Sequence, residues 1–141
     1  MSRSNDDRKS YISPDGWFSL SYPNNWRAEI EDDCTSLYKE YDGVGALQIS
    51  AYCSESRPSA RESLVEYMDD ESIPGEIVTN RLANGREVAK TEFESEESFT
   101  RLWFISEDFY LLFVTYICNA DYKNVELDEV ETIIRSIRIA R

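Results

Sequence analysis

Apolar and polar residues alternate with a period of two through most of this chain, and twice the pattern changes to helical spacing. Phe18, Leu20 and Tyr22 alternate with Trp17, Ser19 and Ser21, as in a strand with one buried face. The turn Ser13-Pro14-Asp15-Gly16 leads into it, and Pro23, which cannot donate to a ladder, stops it. Trp26, Ala28 and Ile30 then alternate with Arg27, Glu29 and Glu31, a second strand that runs into the acidic loop Glu31-Asp32-Asp33. Residues 37–41 and 47–53 flank Asp42-Gly43-Val44-Gly45, and residues 76–82 and 86–93 flank Asn84-Gly85. Asp-Gly and Asn-Gly predict tight type I′ hairpins, whose two central residues need positive φ.

The most apolar stretch is residues 109–118, in which both alternating faces are hydrophobic. That is how a strand covered on both sides reads, and it belongs in mid-sheet, paired through the tip Glu107-Asp108 with residues 101–106. Helical spacing appears first after Pro58, where Ser59-Ala60-Arg61-Glu62 has the form of a capping box. Ala60, Leu64, Val65 and Met68 make its stripe, and the helix ends in Asp69-Asp70-Glu71. A second helix is expected over residues 121–137, with Leu127, Val130, Ile133, Ile134 and Ile137 on one side. Acids fill its first half, and Arg135 and Arg138 close it, matching the helix dipole at both ends. These elements predict an α+β fold: an antiparallel sheet of about 6–8 strands with helices on its faces.

Composition and length make this one domain. The chain has 141 residues and is 41 % hydrophobic, with nine Tyr, six Phe and three Trp against five Gly. A chain of that size buries roughly 68–70 % of its unfolded surface, so large rings on strands have a core to fill. Residues 1–10 are polar and are expected to form a disordered arm, with the domain over 11–141.

Charge narrows the partners. A net charge of −13 opposes binding to phosphate backbones and to anionic membrane surfaces, and favours a basic protein partner. There is no His, which removes the commonest general base and every Ser-His-Asp or Cys-His arrangement. No G-x-S-x-G, phosphate-loop or G-x-G-x-x-G motif occurs. Cys34, Cys53 and Cys118 are odd in number, far apart and without zinc spacing; Cys53 and Cys118 read as core thiols, and acids beside Cys34 discourage its thiolate. Neither an apolar leader nor a membrane-spanning run is seen, so the cytoplasm is the expected compartment.

The two ends of the chain carry a family resemblance. Tyr11, then Asp15-Gly16-Trp17-Phe18-Ser19-Leu20-Ser21-Tyr22-Pro23 and Trp26, followed at the far end by Ile133-Ile134-Arg135-Ser136-Ile137, resemble the PsbP-like superfamily. That superfamily holds the photosystem II extrinsic subunit, the Ran-binding Mog-type proteins and small bacterial domains. The resemblance covers residues 11–140 and implies an α/β/α sandwich with binding roles rather than catalysis. It carries over no site residue, because the lipid-accepting Cys and leader of some branches are not matched here.

The expectation for function is therefore a non-catalytic, cytoplasmic protein-binding module with an acidic surface for a basic partner, and with no cofactor. Trp17, Tyr52 and Tyr110 stand on strand faces opposite the most regular apolar register. Covered by a helix they are core; uncovered, beside Glu31, Asp32 and Asp33, they make a binding patch of the kind that anchors partners. The alternative is a small carboxylate-dependent enzyme or a calcium- or ligand-binding domain. Glu92, Glu94, Glu96 and Glu97 supply carboxylates for it without a selected pair, and the loops 31–33 and 69–71 supply oxygen ligands without EF-hand spacing.

Overall fold

The computed structural model describes residues 8–82 and 84–139. Its strands are β1 (Arg8–Ile12), β2 (Phe18–Pro23), β3 (Trp26–Glu31), β4 (Cys34–Lys39), β5 (Gly45–Cys53), β6 (Val78–Arg81), β7 (Glu87–Glu94), β8 (Ser98–Glu107), β9 (Tyr110–Asn119) and β10 (Arg138–Ile139). Its helices are α1 (Ala60–Glu71) and α2 (Leu127–Arg135). Seven strands form one sheet in the order β3-β4-β5-β9-β8-β7-β6, and the small sheet β1-β2-β10 lies apart from it. Pro23 ends β2 and the chain crosses from the small sheet to the large one before Trp26, which is fully buried and donates its indole N–H to Glu129 at 3.3 Å.

β9 lies between β5 and β8, so both of its faces are covered. Leu112, Val114 and Tyr116 point into the main core with Val130 and Ile133 of α2 and with Phe18 and Leu20 of β2. Leu111 and Phe113 point the other way, against the cluster that Leu64 and Met68 of α1 form with Leu102 and Phe104. The result is the expected α+β architecture with a helix on each face; the small sheet shares the layer of α2. The α1 face divides by composition. Where α1 covers β7, β8 and β9 the residues are Ala89, Leu102 and Phe104; on β3, β4 and β5 they are Arg27, Glu29, Tyr38 and Gln48, bonded to one another or to Glu31 and Glu40.

Several expectations need correction. Arg8, Lys9 and Ser10 are not an arm but part of β1, paired with Pro23, Tyr22 and Ser21, and Arg8 also bonds Ser21; residues 1–7 lie outside the described residues. The Asp42-Gly43 connection is not a two-residue turn: only Asp42 is left-handed (φ 60°), and β4 and β5 are joined by residues 40–44. The second loop is closed by Leu82 and Arg86, with Gly85 at φ 88° taking the left-handed position of a bulged turn. A hairpin that the pattern did not show joins Glu31 to Cys34 through Asp32 and Asp33, with Asp32 at φ 50°. Aspartate is among the few non-glycine residues that adopt that conformation readily, as single residues in turns. Ser59 caps α1 as expected, accepting from Glu62 N–H at 3.1 Å, but Val65 is exposed, and Tyr67 takes its place against Phe104 and Phe113.

α2 is nine residues long, not seventeen, because Ala120–Tyr122 is a separate 3-10 turn and residues 123–125 continue in turns before Glu126. Glu126 stands at the head of α2 and is fully buried. Its carboxylate accepts the Tyr116 hydroxyl at 2.7 Å and the Val44 N–H at 3.0 Å, so the helix start, the 40–44 loop and the central strand meet on one side chain. Burial, and then the bond to Glu126 and its charge, push the Tyr116 phenol far above its ordinary range. Gly45 is required beside this network, since a Cβ there would lie 2.6 Å from both Ile117 O and Tyr116 Oη.

Candidate functional site

The Ser13–Gly16 turn aims Trp17. Ser13 Oγ donates to Asp15 Oδ1 at 2.7 Å and accepts the N–H groups of Trp17 and Phe18 at 3.1 and 3.2 Å. Ser13 is buried while Trp17 is left half-exposed, so the turn is rigid and its ring is presented. The ring rests on Tyr110 with centroids 5.7 Å apart and planes at 56°, a tilted pair. Tyr11 Oη and Thr35 Oγ1 share a hydrogen bond of 2.7 Å that ties the small sheet to β4.

A cleft of about 550 Å³ opens between this turn and the β3–β4 hairpin. Phe18, Ile49 and Ala51 give it apolar surface, Trp17 gives it a ring, and Asp15, Asp32 and Asp33 give it negative charge; Tyr52 lies at its border on the other strand face, in register with Leu111. Asp15 is engaged, accepting from Ser13 Oγ and the Trp17 N–H. The side chains of Asp32 and Asp33 form no hydrogen bond or ion pair among the described residues. Cys34 also lines the cleft, and its thiol is pushed up by burial first and then by Glu31, Asp32 and Asp33. All three cysteines are unpaired; Cys118 is buried as expected, whereas Cys53 is exposed, because β5 runs past the edge of the core there.

Of the six residues expected on a binding surface, Trp17, Asp32, Asp33 and Tyr52 line this one cleft, and Tyr110 supports Trp17 from behind. Two details differ from the expectation. Tyr110 is on the main-core face of β9, since it shares the alternation of Leu112 and Val114 and packs partly against that cluster. Glu31 falls on the opposite strand face, where Gln48 donates to it at 3.4 Å. Neither Trp17 nor Tyr52, which is 53 % exposed, is covered by a helix. Ser13, Asp15 and Cys34 were not singled out beforehand; Ser13 and Asp15 could have been found as a side-chain-bonded turn of Ser, Pro, Asp and Gly just before the ring it holds.

The carboxylates of the alternative reading lie elsewhere. Glu92 pairs with Arg101 at 2.5 Å and Glu94 with Lys123 at 2.5 Å, both in exposed ion pairs. Among the described residues no three His, Cys, Asp or Glu side chains converge as a metal site, and no helix is long and apolar enough to cross a membrane.

The fold is shared with solved structures. A protein from Bacteroides thetaiotaomicron VPI-5482 superposes with a TM-score of 0.69 at 20 % identity, over 94 % of this chain and 48 % of its own. The chain thus spans about half the length of that protein. Cyanobacterial PsbP (CyanoP) from Synechocystis sp. PCC 6803 superposes with a TM-score of 0.65 at 12 % identity, over 95 % of this chain and 93 % of its own. At such identities the likeness is one of fold, and the fold is PsbP-like. No curated protein matches the sequence. A family model described as a domain of unknown function, DUF3805, matches residues 6–141, and the chain belongs to that family.

Proposed function

We propose that this chain is a non-catalytic binding module that holds a basic segment of a partner protein in the cleft between Trp17 and the β3–β4 hairpin. One observation carries the reading: Asp32 and Asp33, two carboxylates with no partner among the described residues, share a cleft with Trp17 and Tyr52. A Lys or Arg side chain entering there meets a ring face and a carboxylate together. A cation over a ring contributes about 0.5–2 kcal/mol, rising as water is excluded. The Ser13 turn and Tyr110 hold Trp17 in place beforehand, so little ordering is needed on binding. The chain's charge of −13 would speed the encounter with a basic partner. Three unpaired cysteines suit a reducing compartment, so the partner is sought in the cytoplasm.

The test is a titration with a fluorescein-labelled Arg- and Lys-rich peptide at low and high salt. Binding that weakens with salt, and that drops about tenfold in Asp32→Asn/Asp33→Asn and again in Trp17→Leu, supports the reading. Equal affinity in wild type and in both variants sinks it.

A further inference from the structure

The same face of the large sheet carries a second cleft at its other end, beneath α2, with the opposite charge. It measures about 290 Å³, near the lower limit for a small-molecule pocket. Val88 of β7, Trp103 and Ile105 of β8 and Ile134 of α2 form its apolar surface. Arg86, Lys90 and Arg135 surround that surface, with one carboxylate, Glu131, among them. In a chain of net charge −13 this is a local excess of cations, and the nearby carboxylates are already engaged. Glu107 accepts from Arg86 Nε at 2.8 Å, and both are buried. Glu131 accepts from Arg101 at 2.9 Å and lies 3.8 Å from Lys90. Arg135 has no carboxylate partner among the described residues, although acids outnumber bases 28 to 15. It also lines the adjoining cavity beside Arg86 and Arg138.

Arg135 in the last turn of α2 complements the helix dipole, which accounts for its place but not for the apolar surface next to it. Val78 and Leu82, also at this cleft, are 52 % and 48 % exposed. An apolar surface bordered by two ion-paired cations and by one guanidinium with no partner among the described residues selects a small amphipathic anion. From this we infer that the α2–β7–β8 cleft binds an aryl or branched-alkyl monocarboxylate, its apolar body against Val88 and Ile105 and its carboxylate on Arg135 and Lys90. An isolated phosphate would leave the apolar surface uncovered, and a neutral hydrocarbon would leave Arg135 unused.

Each end of the sheet holds its own tryptophan, which allows a direct test by NMR of the indole N–H signals. Trp103 reports this cleft, Trp17 the acidic one, and Trp26, buried on Glu129, is the internal control. The probes are 4-phenylbutyrate and its alcohol, 4-phenylbutanol. The acid is expected to shift the Trp103 signal saturably, without moving Trp17 or Trp26, and to bind about tenfold more tightly than the alcohol. Arg135→Gln, at an exposed position, should remove that tenfold advantage and leave the alcohol unaffected. Asn80→Trp, an exposed edge-strand substitution that fills the cleft, should abolish both. Equal binding of acid and alcohol, unchanged acid affinity in Arg135→Gln, or a static Trp103 signal up to about 10 mM acid overturns the inference. Failure of the basic-peptide reading would show instead as a static Trp17 signal, so the two outcomes are separable.

Discussion

The two ends of the large sheet share one apolar face and differ in how they treat charge. At the β3–β5 end, Asp32 and Asp33 sit in a two-residue turn with no cation engaging them among the described residues, and the ring of Trp17 lines the same cleft. At the β6–β8 end, Glu107 and Glu131 are held by Arg86 and Arg101, and the group left over is a cation, Arg135. Net charge alone would assign one kind of partner to the whole surface. The distribution assigns two: a cationic group at one end and an anionic one at the other. The core between them is common, since Ile49 lines the first cleft and Ile105 the second, and both belong to one buried cluster.

The largest effect should come from breaking what joins the ends. Glu126 ties the N-terminal end of α2, whose C-terminal half walls the cationic cleft, to the loop before β5, the strand whose far end lines the acidic cleft. Glu126→Ala takes this acceptor from the buried Tyr116 hydroxyl and the partly buried Val44 N–H. At about 1–3 kcal/mol for each unsatisfied group, the loss should be about 2–6 kcal/mol by urea denaturation. The indole signals of Trp17 and Trp103 should broaden together; a change confined to one end would show that the ends are independent. Gly45→Ala attacks the same junction by crowding Ile117 O and Tyr116 Oη, at a cost of about 1–3 kcal/mol.

pH reaches this junction as well. The Tyr116 phenol is raised in the folded chain by burial and by Glu126, so the folded state favours its protonated form. The stability it contributes is complete below the unfolded value of about 10 and falls as pH rises beyond it. Urea midpoints should therefore drop above about pH 10, and Tyr116→Phe, less stable at neutral pH by about 1 kcal/mol, should show a shallower drop.

What the sequence revealed differs between the two ends for a physical reason. Alternation placed β2 and β5 because each buries one face, and β9 because both of its faces are apolar, and the acidic end was legible because its rings interrupt that register. The cationic end was not. Arg86 and Lys90 lie close together in the chain but Arg135 is far from both; they occupy a turn, a strand and a helix terminus, and each has an ordinary local explanation. Only the pairing of β6 with β7 and the packing of α2 over β8 bring them together. Glu126 was hidden similarly: among the acids of residues 121–129 it reads as one more dipole-matching charge, and its burial depends on a helix that starts later than its spacing suggests. The Asp32-Asp33 turn was missed because an Asp-Asp pair lacks the glycine that marks hairpins, although aspartate tolerates the left-handed residue the turn contains.

The smallest predicted effect is also the most local measure of the acidic end. Alkylation proceeds through the thiolate, so a thiol held above its ordinary pKa reacts slowly at a given pH. Cys34 is raised by burial first, then by Glu31, Asp32 and Asp33, whereas Cys53 is exposed and Cys118 is buried. With iodoacetamide near pH 8, Cys53 should be modified first, Cys34 later and Cys118 only on unfolding, as read by peptide mass mapping. Asp32→Asn/Asp33→Asn removes two of the charges acting on Cys34 but none of its burial. Its alkylation should then quicken only a few-fold and remain slower than that of Cys53. A rate for Cys34 unchanged by the substitutions would mean that solvent screens the two carboxylates at the cleft, and the electrostatic contrast between the ends of the sheet would be weaker there than the geometry indicates.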